Sequence, residues 1–215
     1  MSEKILVTLP SFSESAKADL ESLGDVTYMV PTQEELEEMI SEYTILVVGL
    51  GVTFYADTLT KATNLKAVAT ATTGLDHIDQ DYLTANNISL LSLKGETEFL
   101  NTITGTAELA FGLMIDLLRM IPAATHDVSH NGAWDRENYR GSSLYGKKLG
   151  IIGMGRLGHI MADGAHGWRM PVLFTDPNVE QSEYPDYRRV ELEELLAECD
   201  IVAVHVHLTP ETENM

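Results

Sequence analysis

The stretch Leu149-Gly150-Ile151-Ile152-Gly153-Met154-Gly155-Arg156-Leu157-Gly158 decides the fold, because an apolar strand there runs into a G-x-G-x-x-G turn. In such a turn, Gly153 permits the tight bend, Gly155 lets the backbone approach a pyrophosphate, and Gly158 lets helix and strand pack closely. A helix that begins at the turn points its free N–H groups at the phosphates. The stretch therefore predicts a dinucleotide site with these three glycines as binding residues.

The residues after the turn support this interpretation. Leu157, Ile160 and Met161 recur at helical spacing, and a second strand, 172–175, follows the helix. That strand runs into Asp176, roughly 20 residues after the turn, where this fold places the acid that binds the adenosine ribose. An acid also repels a 2′-phosphate, so the predicted cofactor is NAD rather than NADP. The alternative is a glycine-rich turn that binds nothing, and the strand-turn-helix-strand-Asp order disfavours it.

Upstream of the glycine turn, short apolar strands alternate with helical segments. That rhythm predicts an α/β fold whose parallel sheet is covered by helices on both faces, in a first domain at residues 1–98. The predicted strands are 5–9, 26–30, 45–48, 67–70 and 88–91, and the predicted helices are 14–23, 34–41, 56–62 and 79–85.

A linking region, 99–143, separates this domain from the next. It is predicted to contain a long helix at 99–121, ended by Pro122, and a second helix at 123–131. Because the apolar residues of the long helix lie on more than one face, we expect it to pack between domains or at a subunit interface.

The second domain, 144–215, has four predicted strands, whereas a complete dinucleotide domain of this type has six. Thr209-Pro210-Glu211 is typical of a helix start, and the chain ends a few residues later, at Met215. We therefore expect an incomplete dinucleotide-binding domain in an interrupted chain. The strands are 150–153, 172–175, 188–190 and 201–206.

Composition narrows the classes of partner. The 215 residues carry a formal net charge of −19, which argues against nucleic acid and anionic membranes as partners. The longest uncharged stretch is too short to span a bilayer, and the N-terminus lacks the pattern of a signal peptide. Cys199, flanked by two acids, is the only cysteine and is interpreted as structural. A reducing cytoplasm is the predicted location.

Five motifs occur in order between about residue 66 and the last residue. They are Thr73-Gly74-Leu75-Asp76-His77-Ile78-Asp79, Gly95-Glu96-Thr97-Glu98, Thr106-Ala107-Glu108-Leu109-Ala110, the segment 146–158 around the glycine turn, and His205-Val206-His207-Leu208-Thr209-Pro210-Glu211-Thr212. Together they resemble the D-isomer-specific 2-hydroxyacid dehydrogenase family, most closely its D-3-phosphoglycerate dehydrogenase branch.

The resemblance implies a flavodoxin-like, parallel-sheet substrate domain followed by a Rossmann NAD-binding domain. It implies that the backbone around Thr73 and Gly74 faces the substrate carboxylate. Thr106 would lie near the nicotinamide end of the cofactor.

The resemblance also assigns the rest of the NAD site. Arg156 and Leu157 would cover the pyrophosphate, Asp176 would bind the ribose, and His207 and Thr209 would border the nicotinamide. Many relatives have Pro where this chain has His207.

The chemistry of the family needs an acid-base histidine, a carboxylate that tunes it, and an arginine that binds the substrate carboxylate. In the family these residues lie downstream of the motif that ends near Thr212, so no catalytic residue is assigned here. His77 stands where many relatives have Asn, a departure that could alter the substrate pocket. His205 and His207 lie two apart on one predicted strand, but no third ligand is signalled, so no metal site is predicted.

By resemblance, the parent protein is an NAD-dependent oxidoreductase that transfers hydride between the nicotinamide and C2 of a 2-hydroxy or 2-oxo acid. The 215-residue chain is not expected to turn over alone, and a homodimer is expected. The alternative from another class is a non-catalytic NAD-responsive module whose cofactor occupancy controls dimerisation or a partner contact. A third interpretation is a related enzyme acting on formate or phosphite.

Overall fold

The computed structural model of the protein describes residues 2–132, 134–180 and 186–215, and the chain divides between Thr97 and Glu98 into two compact units. Each unit holds one sheet of parallel strands. Within the described residues, no helix is long and apolar enough to cross a membrane.

The first unit contains a five-stranded parallel sheet, as the alternating pattern predicted. Its order, β2-β1-β3-β4-β5, is the doubly wound order of flavodoxin-like folds. Central strands are apolar on both faces because helices cover the sheet on each side, and Leu6, Leu46 and Val68 are fully buried. The strands are β1 (Glu3–Val7), β2 (Gly24–Tyr28), β3 (Ile45–Val48), β4 (Ala67–Thr70) and β5 (Ser89–Leu91).

Side-chain hydrogen bonds cap the helices of this unit that begin at Glu14, Gln33 and Gln80. Thr32 and Glu35 form a capping box, in which the Glu35 N–H donates to Thr32 Oγ1 and the Thr32 N–H donates to Glu35 Oε2 at 2.8 Å. The helices are α1 (Glu14–Glu21), α2 (Gln33–Met39), α3 (Ala56–Leu59) and α4 (Gln80–Ala85).

The linking region departs from the prediction of one helix over 99–121. The structure has α5 (Thr97–Leu100), a non-helical stretch at 101–104, α6 (Gly105–Arg119) and α7 (Ile121–Asn131). Two features explain the breaks. Arg156 donates to the carbonyl oxygens of Leu100 and Ile103, which a continuous helix would pair internally. Met120 adopts the left-handed conformation, so Pro122 lies in the first turn of α7, where proline is tolerated.

The second unit has a four-stranded parallel sheet in the order β8-β7-β6-β9. This order equals strands 3-2-1-4 of the Rossmann arrangement, and the predicted strands are confirmed. β9 ends two residues earlier than predicted. The elements are β6 (Leu149–Ile152), α8 (Arg156–Gly167), β7 (Val172–Thr175), β8 (Arg188–Arg189), α9 (Leu192–Glu198) and β9 (Ile201–Val204).

The helix predicted to begin at Thr209 is present as a turn at 210–214. The N–H of Glu213 donates to Thr209 O at 2.9 Å, and Thr212 Oγ1 accepts from the Thr209 N–H at 2.8 Å. These bonds are typical of a helical first turn.

Candidate functional site

The glycine turn follows β6 directly and bends as the sequence predicted. Gly153 has φ +93°, a conformation that L side chains rarely adopt, and a Cβ there would lie 2.8 Å from His205 O. The N–H of Gly153 donates to Thr175 O at 2.9 Å. The turn is therefore held between the ends of β7 and β9.

The other two glycines have different surroundings. A Cβ at Gly158 would collide with the carbonyl oxygen of Gly153, so helix and turn are in close contact. Gly155, the N-cap of α8, has open space where a Cβ would stand. The start of α8 is thus accessible to an anion from the side of Gly155, while Leu157 packs against the core of the unit.

Asp176 lies at the carboxyl end of β7, beside the glycine turn. Its Oδ2 accepts from the N–H of Met154 at 2.9 Å, and its Oδ1 accepts from the N–H of Asn178 at 2.8 Å. The side chain is half-buried. These two bonds fix the carboxylate next to the turn, and each oxygen keeps a further lone pair for a ligand hydroxyl.

The side chain of Arg156 lies on the linking region. Its Nη1 donates to Leu100 O at 2.9 Å and to Ile103 O at 2.6 Å. The guanidinium therefore joins the N-terminus of α8 to the segment before α6, a structural role that the sequence did not reveal. Thr106, in the first turn of α6, is exposed.

The segment after β9 borders the same end of the sheet. His207 and Thr209 are both exposed, and Thr212 Oγ1 donates to His207 O at 2.6 Å. The sequence predicted that His205 and His207 lie on one face of a strand. This is wrong, because β9 ends at Val204 and both histidines follow it. Among the described residues, no group of three metal-binding side chains occurs.

The environment of His205, just after β9, does not follow from the sequence. The ring nitrogen Nε2 is buried without a hydrogen-bond partner among the described residues. The backbone N–H of His205 donates to Ile152 O at 2.7 Å. Burial lowers the pKa of His205 below the ordinary value, because the charged imidazolium loses its hydration. The signal available in the sequence was a polar residue at the end of an apolar strand.

Thr73 and Gly74 lie in the loop after β4, in the first unit. Both are half-buried, and Thr72 Oγ1 donates to Gly74 O at 2.8 Å. Nearby, the hydroxyl of Tyr55 donates to Asp76 O at 2.8 Å. The loop is therefore an ordered turn at the carboxyl end of the strand, the edge where ligands bind in open α/β sheets.

His77 is the buried side chain of this loop. Its exposed fraction is 5%, and neither ring nitrogen has a hydrogen-bond partner in the part of the chain that the structure describes. Burial lowers the pKa of His77, and the nearby charge of Asp76 opposes that shift.

Two protein-family models match this chain and identify the class of protein to which it belongs. The family described as D-isomer specific 2-hydroxyacid dehydrogenase, catalytic domain, matches residues 5–134, and the corresponding NAD binding domain matches residues 111–215. The chain therefore belongs to the D-isomer-specific 2-hydroxyacid dehydrogenase family, as its motifs predicted. The cofactor of its second domain is NAD.

Individual relatives agree with this assignment. D-3-phosphoglycerate dehydrogenase of Methanocaldococcus jannaschii is 36% identical over 217 residues, which cover 99% of this chain and 40% of the relative. Hydroxypyruvate reductase of Thermotoga maritima is 33% identical, over 85% of this chain and 58% of the relative. The chain thus spans less than two thirds of the length of each.

A solved structure shows the same fold. NAD-dependent formate dehydrogenase from Staphylococcus aureus, in complex with NAD, matches with a TM-score of 0.83 and 25% identity, over 98% of this chain and 67% of that one. The geometry of this chain fits such a dinucleotide, because the backbone at Gly155 is open and Asp176 is fixed beside it.

Proposed function

We propose that this chain contributes the substrate unit and the NAD half-site of an NAD-dependent D-2-hydroxyacid dehydrogenase. The observation that carries the proposal is the open backbone at Gly155, between the close contacts of Gly153 and Gly158 and next to the carboxylate of Asp176. We propose the domains as 1–98 for substrate, 99–143 for linkage and dimerisation, and 144–215 for NAD.

Each residue of the proposed NAD site has a task that suits its position. The amides at the start of α8, with Gly155, Arg156 and Leu157, bind the pyrophosphate. Asp176 accepts hydrogen bonds from the ribose hydroxyls and excludes a 2′-phosphate. When bound, NAD supplies the hydride acceptor or donor of the reaction.

The proposed nicotinamide end of the site uses Thr106, His207 and Thr209, all of which are exposed. In the first unit, the loop at Thr73 and Gly74 binds the carboxylate of a 2-hydroxy or 2-oxo acid. Backbone amides suit that role, because the overall charge of −19 repels anions unless donors are placed locally.

Titration of NADH into the 215-residue chain, followed by nicotinamide fluorescence, tests the cofactor half of the proposal. We expect saturable binding, and absence of binding at millimolar NADH would refute it. Turnover with a panel of 2-oxo acids, measured in parallel, tests the catalytic half. We expect none from this chain, since no described side chain is assigned to proton transfer. NADH binding that changes self-association would instead favour the NAD-responsive module.

We propose that the protein is a homodimer through α6. Leu109, Leu113 and Leu117 recur every four residues on one face of this helix, and their exposed fractions are 63%, 60% and 79%. Such an exposed apolar stripe is typical of a helix that packs against another protein surface. A second copy satisfies it with a two-fold, self-complementary contact.

Sedimentation equilibrium tests the dimer. Leu113→Glu places a charge in the middle of the stripe and should shift the protein to monomer. Leu196→Glu, at an equally exposed leucine on α9, is the control and should remain dimeric. A Leu113→Glu protein that stays dimeric overturns the proposal.

We also propose a cytoplasmic location. Burial raises the pKa of the Cys199 thiol, which packs beside Gly150 and keeps its proton. A single thiol of low reactivity suits a reducing compartment. Fractionation of the source cells is the direct measurement.

A further inference from the structure

The loop after β3 lies beside the proposed substrate loop, at the same edge of the first sheet. β3 and β4 pair in parallel, with Val48 opposite Thr70, so the residues that follow the two strands are neighbours. Two hydrogen bonds join the loops. The N–H of Phe54 donates to His77 O at 2.8 Å, and the N–H of Asp79 donates to Phe54 O at 2.9 Å. The two loops therefore form one ordered surface at the carboxyl end of the sheet.

This surface includes the point where the strand order of the sheet reverses, between β1 and β3. In open α/β sheets, ligands bind outside the carboxyl ends of the strands at such a point. The N–H of Gly49 donates to Thr8 Oγ1 at 3.4 Å, and the N–H of Thr8 donates to Val47 O at 2.9 Å. The start of the loop after β3 is therefore fixed to the residue that follows β1.

Leu50 is the side chain that this loop exposes to solvent. Its exposed fraction is 71%, whereas Val52, two residues later, is 6% exposed and packs in the core of the unit. The N–H of Thr53 donates to Gln33 Oε1 at 3.0 Å, so the loop is anchored on both sides of Leu50. An exposed leucine on an anchored loop, at an edge where ligands bind, gives a small molecule a fixed apolar contact.

The neighbouring loop has backbone donors for one carboxylate. In the part of the chain that the structure describes, the N–H groups of Thr73 and Gly74 donate to no acceptor. Two amide donors match the two oxygens of a carboxylate. The carboxylate of Asp76 lies close by, since its Oδ1 would be 3.2 Å from a Cβ at Gly74. Asp76 therefore adds a repulsion that grows with the negative charge of the ligand.

Cations are scarce at this edge. The first unit contains five lysines and no arginine. Four of the lysines are paired with glutamates at 2.6–3.6 Å. Of these, Lys4 and Lys66 lie at the amino end of the sheet, Lys17 lies on α1 and Lys61 follows α3. The fifth, Lys94, follows the outer strand β5.

The helix starts next to these loops are already occupied by carboxylates. Asp57 lies in the first turn of α3, and Asp79 caps α4 by accepting from the Tyr82 N–H at 2.9 Å. These acids occupy the positive end of the helix dipole, which is otherwise a site for phosphate. Phosphate is also bound by arginine and lysine, and the loop sequences 49–55 and 71–79 contain neither.

We propose that the substrate bound at this edge is a 2-hydroxy or 2-oxo acid with an uncharged, apolar side chain. The inference rests on the proposed function, in which the loop at Thr73 and Gly74 binds the substrate carboxylate. Leu50 contacts the side chain of the acid and is therefore a specificity-determining residue. A phosphorylated acid is disfavoured, because its phosphate carries a charge of about −1.5 to −2 at pH 7 and meets Asp76 without a compensating cation.

Three acids of D configuration test the inference by NMR titration of the ¹⁵N-labelled 215-residue chain. They are 2-hydroxy-4-methylpentanoate, glycerate and 3-phosphoglycerate, and the amide resonances of Leu50 and Gly74 report binding. We expect 2-hydroxy-4-methylpentanoate to bind most tightly and 3-phosphoglycerate to bind at least about tenfold more weakly, because a charge-assisted partner for the phosphate is missing.

The outcomes separate this inference from the proposed function. Binding of 3-phosphoglycerate as tight as that of 2-hydroxy-4-methylpentanoate overturns the inference and leaves the proposed function in place. If none of the three acids shifts the Gly74 resonance, the loop does not bind a carboxylate, and the substrate half of the proposed function fails together with the inference.

Leu50→Arg should increase the affinity for 3-phosphoglycerate about tenfold or more, since it supplies the missing cation. Leu50 is exposed, so the fold should persist, as far-UV circular dichroism will show. Leu23→Arg is the matched control, because Leu23 is 61% exposed and precedes β2, at the opposite edge of the sheet. The control should keep the affinities of the unmodified chain. A Leu50→Arg protein that binds 3-phosphoglycerate no more tightly than the control overturns the role of Leu50.

Discussion

The carboxylate of Asp176 has two roles. It anchors the glycine turn through the Met154 N–H, and we propose that it discriminates NAD from NADP. Loss of the anchor should weaken the binding of both cofactors alike, whereas loss of the charge affects NADH and NADPH differently, so the comparison of the two cofactors isolates the second role.

Asp176→Ala should weaken NADH binding about tenfold or more, since charge-assisted hydrogen bonds to the ribose are lost. NADPH binding should fall less, because removal of the charge also removes a repulsion. Fluorescence titration with both cofactors measures the ratio. Asp163→Ala, at an exposed acid on α8, is the control. Equal losses for both cofactors would contradict the ribose assignment.

Arg156 poses a different question, because its guanidinium already has two carbonyl partners. Arg156→Ala should lower the free energy of unfolding by about 1–3 kcal/mol, since those carbonyl groups lose a charged donor. Urea unfolding measures this, and faster hydrogen exchange at 101–107 should accompany it.

Arg156→Lys separates anchoring from cofactor binding, because lysine keeps the charge but not the planar fork. If the charge serves the pyrophosphate, the lysine variant should keep most NADH affinity and still lose stability. An NADH affinity that is unchanged in both variants would confine Arg156 to a structural role.

At the scale of elements, the packing of α6 on α8 depends on one glycine. A Cβ at Gly164 would lie 2.5 Å from Cζ of Phe111, within the core of the second unit. Gly164→Ala should therefore destabilise the protein by about 1–2 kcal/mol, the cost of overpacking reduced by the better helix propensity of alanine.

Gly167→Ala, in the same helix, is the comparison for that prediction. A Cβ at Gly167 meets nothing within 4 Å, so its substitution should be neutral or stabilising. Thermal unfolding of the two variants gives the difference directly. Equal melting temperatures would mean that the two helices can separate slightly without cost.

The sequence predicts elements well where the pattern is local. Buried parallel strands appear as short apolar runs, and such runs predict most of the described strands, whereas β8 consists of two exposed arginines, Arg188 and Arg189. The break at 101–104 was not predicted, because it depends on Arg156, which lies 56 residues after Leu100. The same holds for the candidate site. The glycine turn and Asp176 can be predicted from their spacing in the sequence, whereas the burial of the His205 ring depends on tertiary packing.

At the scale of the whole molecule, each unit encloses a histidine with a lowered pKa. These are His77 in the first unit and His205 in the second, and burial is the main cause in both. An unfolded chain hydrates both rings, so it takes up protons at a higher pH than the folded chain does.

The stability of the protein should therefore be complete above about pH 6.5, the ordinary histidine value, and should decrease as the pH falls through the lowered pKa values. The slope is at most about 1.4 kcal/mol per pH unit for each histidine. Urea unfolding between pH 7.5 and 5 measures it.

His77→Asn should flatten this dependence, because asparagine does not titrate. His159→Asn, at a half-exposed histidine that is hydrogen-bonded to a carbonyl, should leave the slope contributed by His77 in place. A profile that is equally steep in His77→Asn and in the unmodified chain would exclude His77 as a source.

The outer strand of the second sheet has a consequence for handling the protein. Among the described strands, β9 pairs only with β6, and Val202 and Val204 are 39% and 60% exposed. Such an apolar edge can template strand addition, and pairing of β9 with the opposite edge, β8, of a further copy repeats without closing and so grows into aggregates. Pairing through α6 stops at two copies. Aggregation through this edge should therefore appear as turbidity that increases with protein concentration, while the mass of the soluble dimer stays constant. Val204→Lys should suppress this turbidity.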